Sequence, residues 1–174
     1  MERTRTYSWR DPAEIAALAR GKSGLELLQA LVGDDSAPIT QTLGFRLAEA
    51  ELGRVVFELT PSEFQQNPMG TVHGGVACTL LDSAMGAAVH SRLEVAQAYT
   101  TLELKVNLTR AITAGSGVLR AEGTVVSFGS RVATSQAFLR DAAGKLYARS
   151  SSLMRPLRRL SRKPAGRRGR SRAR

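Results

Sequence analysis

Residues 74–91 read GGVACTLLDSAMGAAVHS and form the longest helix-like segment of the chain. Almost every residue in it is apolar or small, so the pattern predicts a helix that is buried on most of its sides. Asp82 is the charged exception in the middle. A buried carboxylate is costly unless it is paired or hydrogen-bonded, and aspartate is a mediocre helix former. Asp82 is therefore either a functional carboxylate or a side chain held by a structural hydrogen bond.

Strand-like alternation surrounds this helix. Residues 98–109 give the clearest strand pattern in the chain, because aliphatic residues at the even positions from 102 to 108 alternate with polar residues at the odd positions from 101 to 109. The predicted strands are 43–50, 54–60, 98–109, 117–127, 130–140 and 145–154, with Gly53 turning the first into the second. One long buried helix on a largely antiparallel sheet is an α+β architecture. The absence of parallel βαβ alternation argues against Rossmann and P-loop folds.

Two short helices are predicted ahead of the sheet, at about 12–20 and 24–32, after an arm (1–10) without periodicity. Each helix starts with a residue that can cap it, three positions before a glutamate that can close a capping box. The capping pairs are Asp11 with Glu14 and Ser23 with Glu26. Residues 34–40 are predicted to form a linker.

The formal net charge of +10 is concentrated at one end of the chain. Residues 155–174 hold nine arginines, one lysine and no acidic residue, which leaves 1–154 neutral. The Gly-, Pro- and Ser-containing tail, 156–174, is predicted to be disordered. It could bind nucleic acid or anionic lipid through charge alone, but no aromatic residue interleaves its arginines, so base stacking is not suggested.

Compartment and cofactors are constrained by what the composition contains. The one cysteine, Cys78, allows no intrachain disulfide. The polar N-terminus does not have the form of a signal peptide, and no apolar run approaches the roughly 18 residues of a membrane span. Two histidines and one cysteine, none at ligand spacing, give no case for a metal. We expect a soluble, cytoplasmic protein.

A second cluster, NPMGTVHGG at residues 67–75, ends where the long helix begins. A helix start flanked by glycines presents free backbone N–H groups and the positive end of the helix dipole, which can stabilise an oxyanion. The same glycines equally fit a tight turn into a helix without any chemical role.

The spacing between the two clusters has a geometric consequence. His73 and Asp82 are nine positions apart, which on a regular helix is about 13–14 Å along the axis and two and a half turns. One helix cannot easily bring both to a single reacting group, whereas two antiparallel copies of it can. The spacing favours a two-fold dimer whose sites are shared between chains.

Residues 67–86, NPMGTVHGGVACTLLDSAMG, resemble the phenylacetate-pathway (PaaI-type) group of hotdog-fold acyl-CoA thioesterases. That family's pattern has an asparagine, a His-Gly-Gly six residues later, and an aspartate nine residues after the histidine. A later family element, a Ser or Thr opening a strand of the form T-x-E/D-L-x-V-N, matches TLELKVN at 101–107. The resemblance covers about residues 40–155.

The resemblance implies a hotdog fold, in which a curved antiparallel sheet wraps a long central helix, and homodimers that often pair into tetramers. It implies hydrolysis of acyl-CoA without a cofactor. Asp82 would be the nucleophile or the general base, and the backbone N–H of Gly74, from the other subunit, the oxyanion hole. Asn67 and His73 would orient the site, and Thr101 would help to place the water or the carboxylate.

The sequence gives fewer indications of which residues bind the substrate. Gly75 at the helix start is a candidate, and Arg131 either contacts CoA phosphates or is a solvated strand residue. The acyl group, aryl or short to medium, stays open. The predicted organisation is an arm with short helices (1–40), a hotdog domain (41–155) and the basic tail (156–174).

Three other functions compete with hydrolysis. A hotdog protein can bind acyl-CoA without turnover as a sensor, although such a binder needs no carboxylate beside the thioester. A hydratase or dehydratase typically has a catalytic histidine on the helix, where this chain has Asp82. An accessory protein could bind nucleic acid through the tail.

Overall fold

One antiparallel sheet of six strands packs against a single long helix. The computed structural model describes residues 1–34 and 36–158, with the backbone alone of Arg158. The strands are β1 (Phe45–Glu51), β2 (Arg54–Leu59), β3 (Gln97–Leu108), β4 (Leu119–Phe128), β5 (Ala133–Asp141) and β6 (Leu146–Arg158). Their order in the sheet is β1-β2-β4-β5-β6-β3, and every neighbouring pair is antiparallel. The predicted α+β architecture is confirmed.

The helices are α1 (Pro12–Leu18), α2 (Gly24–Leu31), α3 (Pro38–Leu43) and the long α4 (Gly74–His90). On α4, a stripe that we call the sheet face is at most 1% exposed and consists of Ala77, Leu80, Ala84 and Ala88. The sheet approaches this stripe closely, because a Cβ atom at Gly123 of β4 would run into the backbone of Ala84. Small residues on both sides therefore allow α4 to lie directly on the sheet.

The alternation in β3 is typical of a strand that packs one face on a core, but β3 lies at the edge of the sheet. It pairs with β6 alone among the described strands, and a bulge interrupts that pairing between Thr101 and Glu103. Several of its even-numbered aliphatic side chains are exposed, among them Leu102 at 54% and Leu108 at 53%, while Val106 packs against the core. Much of the aliphatic surface of this strand is therefore not covered by the described residues.

The N-terminal region contains three helices, where the sequence predicted two. Ser23 and Glu26 form the predicted capping box, with the Ser23 N–H donating to Glu26 Oε2 at 2.7 Å. At α1, Asp11 accepts the N–H of Ala13 at 2.8 Å, but Glu14 does not close a box, so that detail was wrong.

The prediction of a linker at 34–40 was also wrong, because α3 begins inside it. Pro38 stands in the first turn of α3, where its missing N–H costs nothing. Gly44 ends α3 with a left-handed φ of 72°.

Both ends of the chain contact or extend the domain. Arg3 forms an ion pair with Glu63 at 2.7 Å, and Arg5 donates to the carbonyl of Thr42 at 2.7 Å. Part of the irregular arm is thereby held against the fold. At the other end, β6 continues to Arg158, three residues past the boundary expected at 155, and the tail from 159 lies outside the described residues. None of the helices in the described ranges combines the length and apolar character needed to cross a bilayer.

Candidate active site

The start of α4 is organised by the histidine that precedes it. His73 is the N-cap residue, and its Nδ1 accepts the N–H of Gly75 at 3.0 Å. Its backbone N–H donates to the carbonyl of Gln65 at 2.8 Å, which fixes the approach to the helix. Because Nδ1 is an acceptor here, a neutral His73 ring has its proton on Nε2, which is free to donate.

The next residue, Gly74, has a backbone N–H that makes no hydrogen bond within the described residues. This agrees with its place in the first turn, where helical N–H groups have no partner inside the helix. Gly74 lines a cavity of about 370 Å³ together with Asn67, Leu108 and Ile112. A Cβ atom at Gly74 would lie 2.8 Å from Leu108 Cδ1, so only glycine fits without movement. The cavity thus contains a free donor at the positive end of a helix.

Asn67 acts on the loop that leads into α4. Its Oδ1 accepts the N–H groups of Met69 at 2.9 Å and Thr71 at 3.3 Å, and its Nδ2 donates to Thr71 Oγ1 at 2.9 Å. All of its described bonds remain within residues 67–71. The side chain therefore holds the loop in shape beside Gly74.

The carboxylate of Asp82 lies half-buried in the middle of α4. Its Oδ1 accepts a hydrogen bond from Thr101 Oγ1 at 3.1 Å, and Oδ2 accepts none from the described residues. We call the surrounding side of the helix the open face; it consists of Gly75, Cys78, Thr79, Asp82 and Gly86. The hydrogen bond orients one oxygen of the carboxylate and leaves the other available to a water or a substrate.

The N-terminal half of the open face borders a groove of about 660 Å³. The groove is lined by His73, Gly75 and Thr79 from α4 and its cap, and by Arg5 and Phe64 on the far side. It gives an elongated ligand room to lie along α4 in the direction of Asp82.

Sequence reasoning missed Tyr99, which packs on the open face one turn beyond Asp82. A Cβ atom at Gly86 would overlap the Tyr99 ring, so the glycine admits this aromatic side chain. Burial, with the charge of Asp82 as a smaller cause, raises the pKa of the Tyr99 hydroxyl to about 12. Two signals pointed to it: Tyr99 is two positions before Thr101 on the same strand face, and Gly86 is four positions after Asp82.

The predicted residues fall into separate groups within one chain. Gly74 and Asp82 are eight positions apart on the continuous helix α4, which places them about 12 Å apart along its axis. Arg131 is exposed in the turn between β4 and β5, toward the other end of α4, where Arg92 stacks on Phe128 at 5.4 Å. No described contact joins Arg131 to the other candidates, so its role in CoA binding stays a prediction.

The chemistry available at this site is that of a carboxylate, a hydroxyl and a helix N-terminus. Among the described residues, no three His, Cys, Asp or Glu side chains come together as a metal site would require. Cys78 is half-buried on the open face with no disulfide partner. A polarising N–H and an oriented carboxylate suit addition of water, or of the carboxylate itself, to a carbonyl.

Comparison with known proteins finds a matching family and a related sequence. The family profile described as the thioesterase superfamily matches residues 69–148. A protein of Halobacterium salinarum that is provisionally named an esterase is 34% identical over 115 residues, which span 63% of this chain and 73% of that protein. The part of the chain that matches the family profile includes the loop before α4, α4 itself, and the strands β3 to β5.

Solved structures agree with the fold. A thioesterase from Haemophilus influenzae superposes with a TM-score of 0.68 at 22% identity, over 80% of this chain and 94% of that one. The PaaI protein of the E. coli phenylacetic acid degradation operon gives a TM-score of 0.66 at 20% identity, over 76% and 91%. The predicted hotdog fold is confirmed, and at these identities the two structures bear on the fold alone.

Proposed function

This chain belongs to the thioesterase superfamily, and from that premise we propose that it hydrolyses an acyl-CoA thioester to a free acid and CoA. The observation that carries the proposal is the hydrogen bond from Thr101 Oγ1 to Asp82 Oδ1 on the open face of α4. It joins two elements that are distant in sequence and leaves one carboxylate oxygen unpaired. Assignment to the PaaI-type group remains a prediction.

Thioester hydrolysis requires few catalytic groups, and this site offers candidates for them. The carbonyl is electrophilic, and the thiolate leaves without much help from an acid. The reaction needs a donor that stabilises the negative charge on the carbonyl oxygen and a carboxylate near the attacking water. We assign the first role to the N–H of Gly74 and the second to Asp82, which acts as general base or as nucleophile.

The supporting residues act on these two groups. Thr101 holds the carboxylate of Asp82 in one orientation through its 3.1 Å hydrogen bond. His73 and Asn67 shape the loop and cap that present the N–H of Gly74. Gly75 lines the groove that would receive the pantetheine arm of CoA. A larger residue at this position would press on the His73 ring.

A complete site in this proposal requires two chains. The roughly 12 Å between Gly74 and Asp82 along α4 is too far for one carbonyl group to meet both. A two-fold dimer that sets two α4 helices antiparallel brings Gly74 of one chain beside Asp82 of the other. The exposed leucines of β3, and its edge that has no second partner among the described strands, support such a dimer, since exposed apolar edges of this length are usually covered.

The test is release of CoA thiol from a panel of acyl-CoAs, both aliphatic and aryl, by the wild type and by Asp82→Asn. Asparagine keeps the shape of the side chain and can still accept from Thr101, but it is neither a base nor a nucleophile. We expect kcat to fall by at least about 10²-fold, the usual scale for a positioned acid–base group. Asp11→Asn is the matched control, because asparagine caps a helix as well as aspartate does.

Two results would contradict hydrolysis at this site. Asp82→Asn with wild-type turnover would show that the carboxylate has no part in the reaction. Binding of acyl-CoA by the wild type without turnover of any panel member would instead identify an acyl-CoA sensor.

A further inference from the structure

A cavity of about 240 Å³ lies beneath the N-terminal helices. Most of its wall is aliphatic or aromatic, and the larger side chains come from α1 to α3 and from the β1–β2 hairpin: Ile15, Leu28, Leu31, Ile39, Leu47 and Phe57. These residues precede 69–148, the part of the chain that matches the family profile. Most of the larger side chains in the wall therefore lie outside the stretch that matches the family profile.

The floor of the cavity is formed by the stretch of α4 that follows Asp82. Ser83, the residue after Asp82, and Ala87, one turn further along α4, both line it. Tyr99 forms another side of the cavity and also packs on Gly86, the open-face residue one turn beyond Asp82. The cavity and the carboxylate thus share the same stretch of α4 and the same aromatic side chain.

Two polar groups of the lining are engaged with protein partners, whereas Ser36 Oγ is buried and makes no hydrogen bond among the described residues. The hydroxyl of Ser83 donates to the carbonyl of Thr79 at 2.8 Å. Asp34 forms an ion pair with Arg10 at 3.0 Å and accepts the N–H of Ser36 at 2.9 Å. An occupant therefore meets a mainly apolar surface, which favours uncharged apolar groups, by about fourfold in affinity for each buried CH₂.

The volume restricts the size of the occupant. About 240 Å³ corresponds to roughly eight groups of the size of a water molecule, at about 30 Å³ each. A CH₂ or aromatic CH group is of similar size, so about six to eight carbons fill the space.

We propose that this cavity receives the acyl group of the substrate and selects uncharged apolar acyl groups of about six to eight carbons. The inference rests on the proposed hydrolysis at Asp82. The carbonyl would stand beside Asp82, with the acyl chain running between Ser83, Ala87 and Tyr99 toward the N-terminal helices. The acyl group of the substrate would thus be recognised by residues outside the motif that performs the reaction.

The first experiment fills the cavity with Ala87→Leu and compares octanoyl-CoA, phenylacetyl-CoA and acetyl-CoA. We expect kcat/KM for both eight-carbon substrates to fall at least about tenfold, a loss of about 1.4 kcal/mol of transition-state stabilisation. Hydrolysis of acetyl-CoA, whose acyl group does not reach Ala87, should change by less than about threefold. Equal losses for all three substrates, or no loss for the long ones, would overturn the proposal.

A second variant guards against a folding defect at the buried Ala87. Ile39→Ala trims a cavity wall on α3 at a side chain that is 48% exposed, so the fold should tolerate it. It should shift the preference toward acyl groups longer than eight carbons. Leu52→Ala, in the β1–β2 turn, is the matched aliphatic control and should leave the preference unchanged. An unchanged preference in Ile39→Ala would count against the cavity.

Binding of octanoate, measured by calorimetry, separates this inference from the proposed function. If no acyl-CoA is hydrolysed but octanoate binds the wild type and not Ala87→Leu, the cavity stands and hydrolysis fails. If acyl-CoAs are hydrolysed with the same chain-length preference in both proteins, hydrolysis stands and the cavity assignment fails.

Discussion

The sheet face and the open face of α4 divide one helix between packing and chemistry. The sheet face is almost completely excluded from solvent and touches the backbone of β4. The open face has small residues, a half-buried carboxylate, and cavities on either side of Asp82 along the helix. Because each residue of a helix points in one direction, substitutions on the two faces should affect different properties.

The comparison also shows how a carboxylate is tolerated in an apolar helix. Asp82 is on the side of α4 that faces the edge strand β3, half-buried and hydrogen-bonded to Thr101 of that strand. Burial without such a partner would be costly. The two interpretations from the sequence, functional and structural, thus refer to one and the same hydrogen bond.

Of the substitutions that distinguish the two faces of α4, one on the sheet face is expected to have the largest effect, which is on the free energy of unfolding. Leu80→Ala should lower the free energy of unfolding by about 2–5 kcal/mol, because it removes buried carbons and leaves a cavity. The folded fraction should keep its kcat. Urea denaturation followed by circular dichroism measures the first, and CoA release the second. Leu52→Ala, at a side chain that is 62% exposed, should change stability by no more than about 0.5 kcal/mol. A Leu80→Ala protein of wild-type stability would break the comparison.

A smaller effect, on activity, is expected on the open face. Thr101→Val keeps the shape of the side chain and removes the hydrogen bond to Asp82. We expect kcat to fall about tenfold, equivalent to about 1.4 kcal/mol, with little change in the denaturation midpoint. Thr101→Ser retains the hydroxyl and should keep most of the activity. If valine and serine at this position gave equal rates, the hydrogen bond would have no catalytic role.

The smallest effect at neutral pH concerns Tyr99, which stays uncharged there. Its folded-state pKa of about 12 is above the unfolded value of about 10, so folding favours the neutral phenol. This contribution is fully present below pH 10 and is lost as the pH rises from about 10 to about 12. Absorbance of phenolate should show a step near pH 12 that Tyr99→Phe lacks. A step near pH 10, and not near pH 12, that is lost in Tyr99→Phe would place Tyr99 in solvent rather than against Gly86.

Much of the fold was predictable because helices and strands are specified largely by residues that are close together in the sequence. The helix predicted at 74–91 is observed as Gly74–His90, and the six strands lie where alternation placed them, within a few residues. The exception is α3, which begins within the predicted linker. Its six residues are too few to show a helical period, so Pro38 and Gly44 were its only local signals.

The site was predictable in part. The resemblance named Asp82 and Thr101, and the structure brings these two into contact. Tyr99 and the apolar cavity were not predicted, since their relation to Asp82 depends on contacts between parts of the chain that are far apart in sequence.

Periodicity and spacing alone determined the long helix, the strands, and the separation of Gly74 from Asp82, because backbone geometry converts sequence intervals directly into distances. The tertiary structure alone decided what surrounds the carboxylate. The order of strands puts β3 at the edge of the sheet, paired with β6, with Tyr99 and Thr101 over the open face of α4 and with Leu102 and Leu108 largely exposed. The N-terminal helices then close the cavity beside Ser83, because their apolar side chains find burial there.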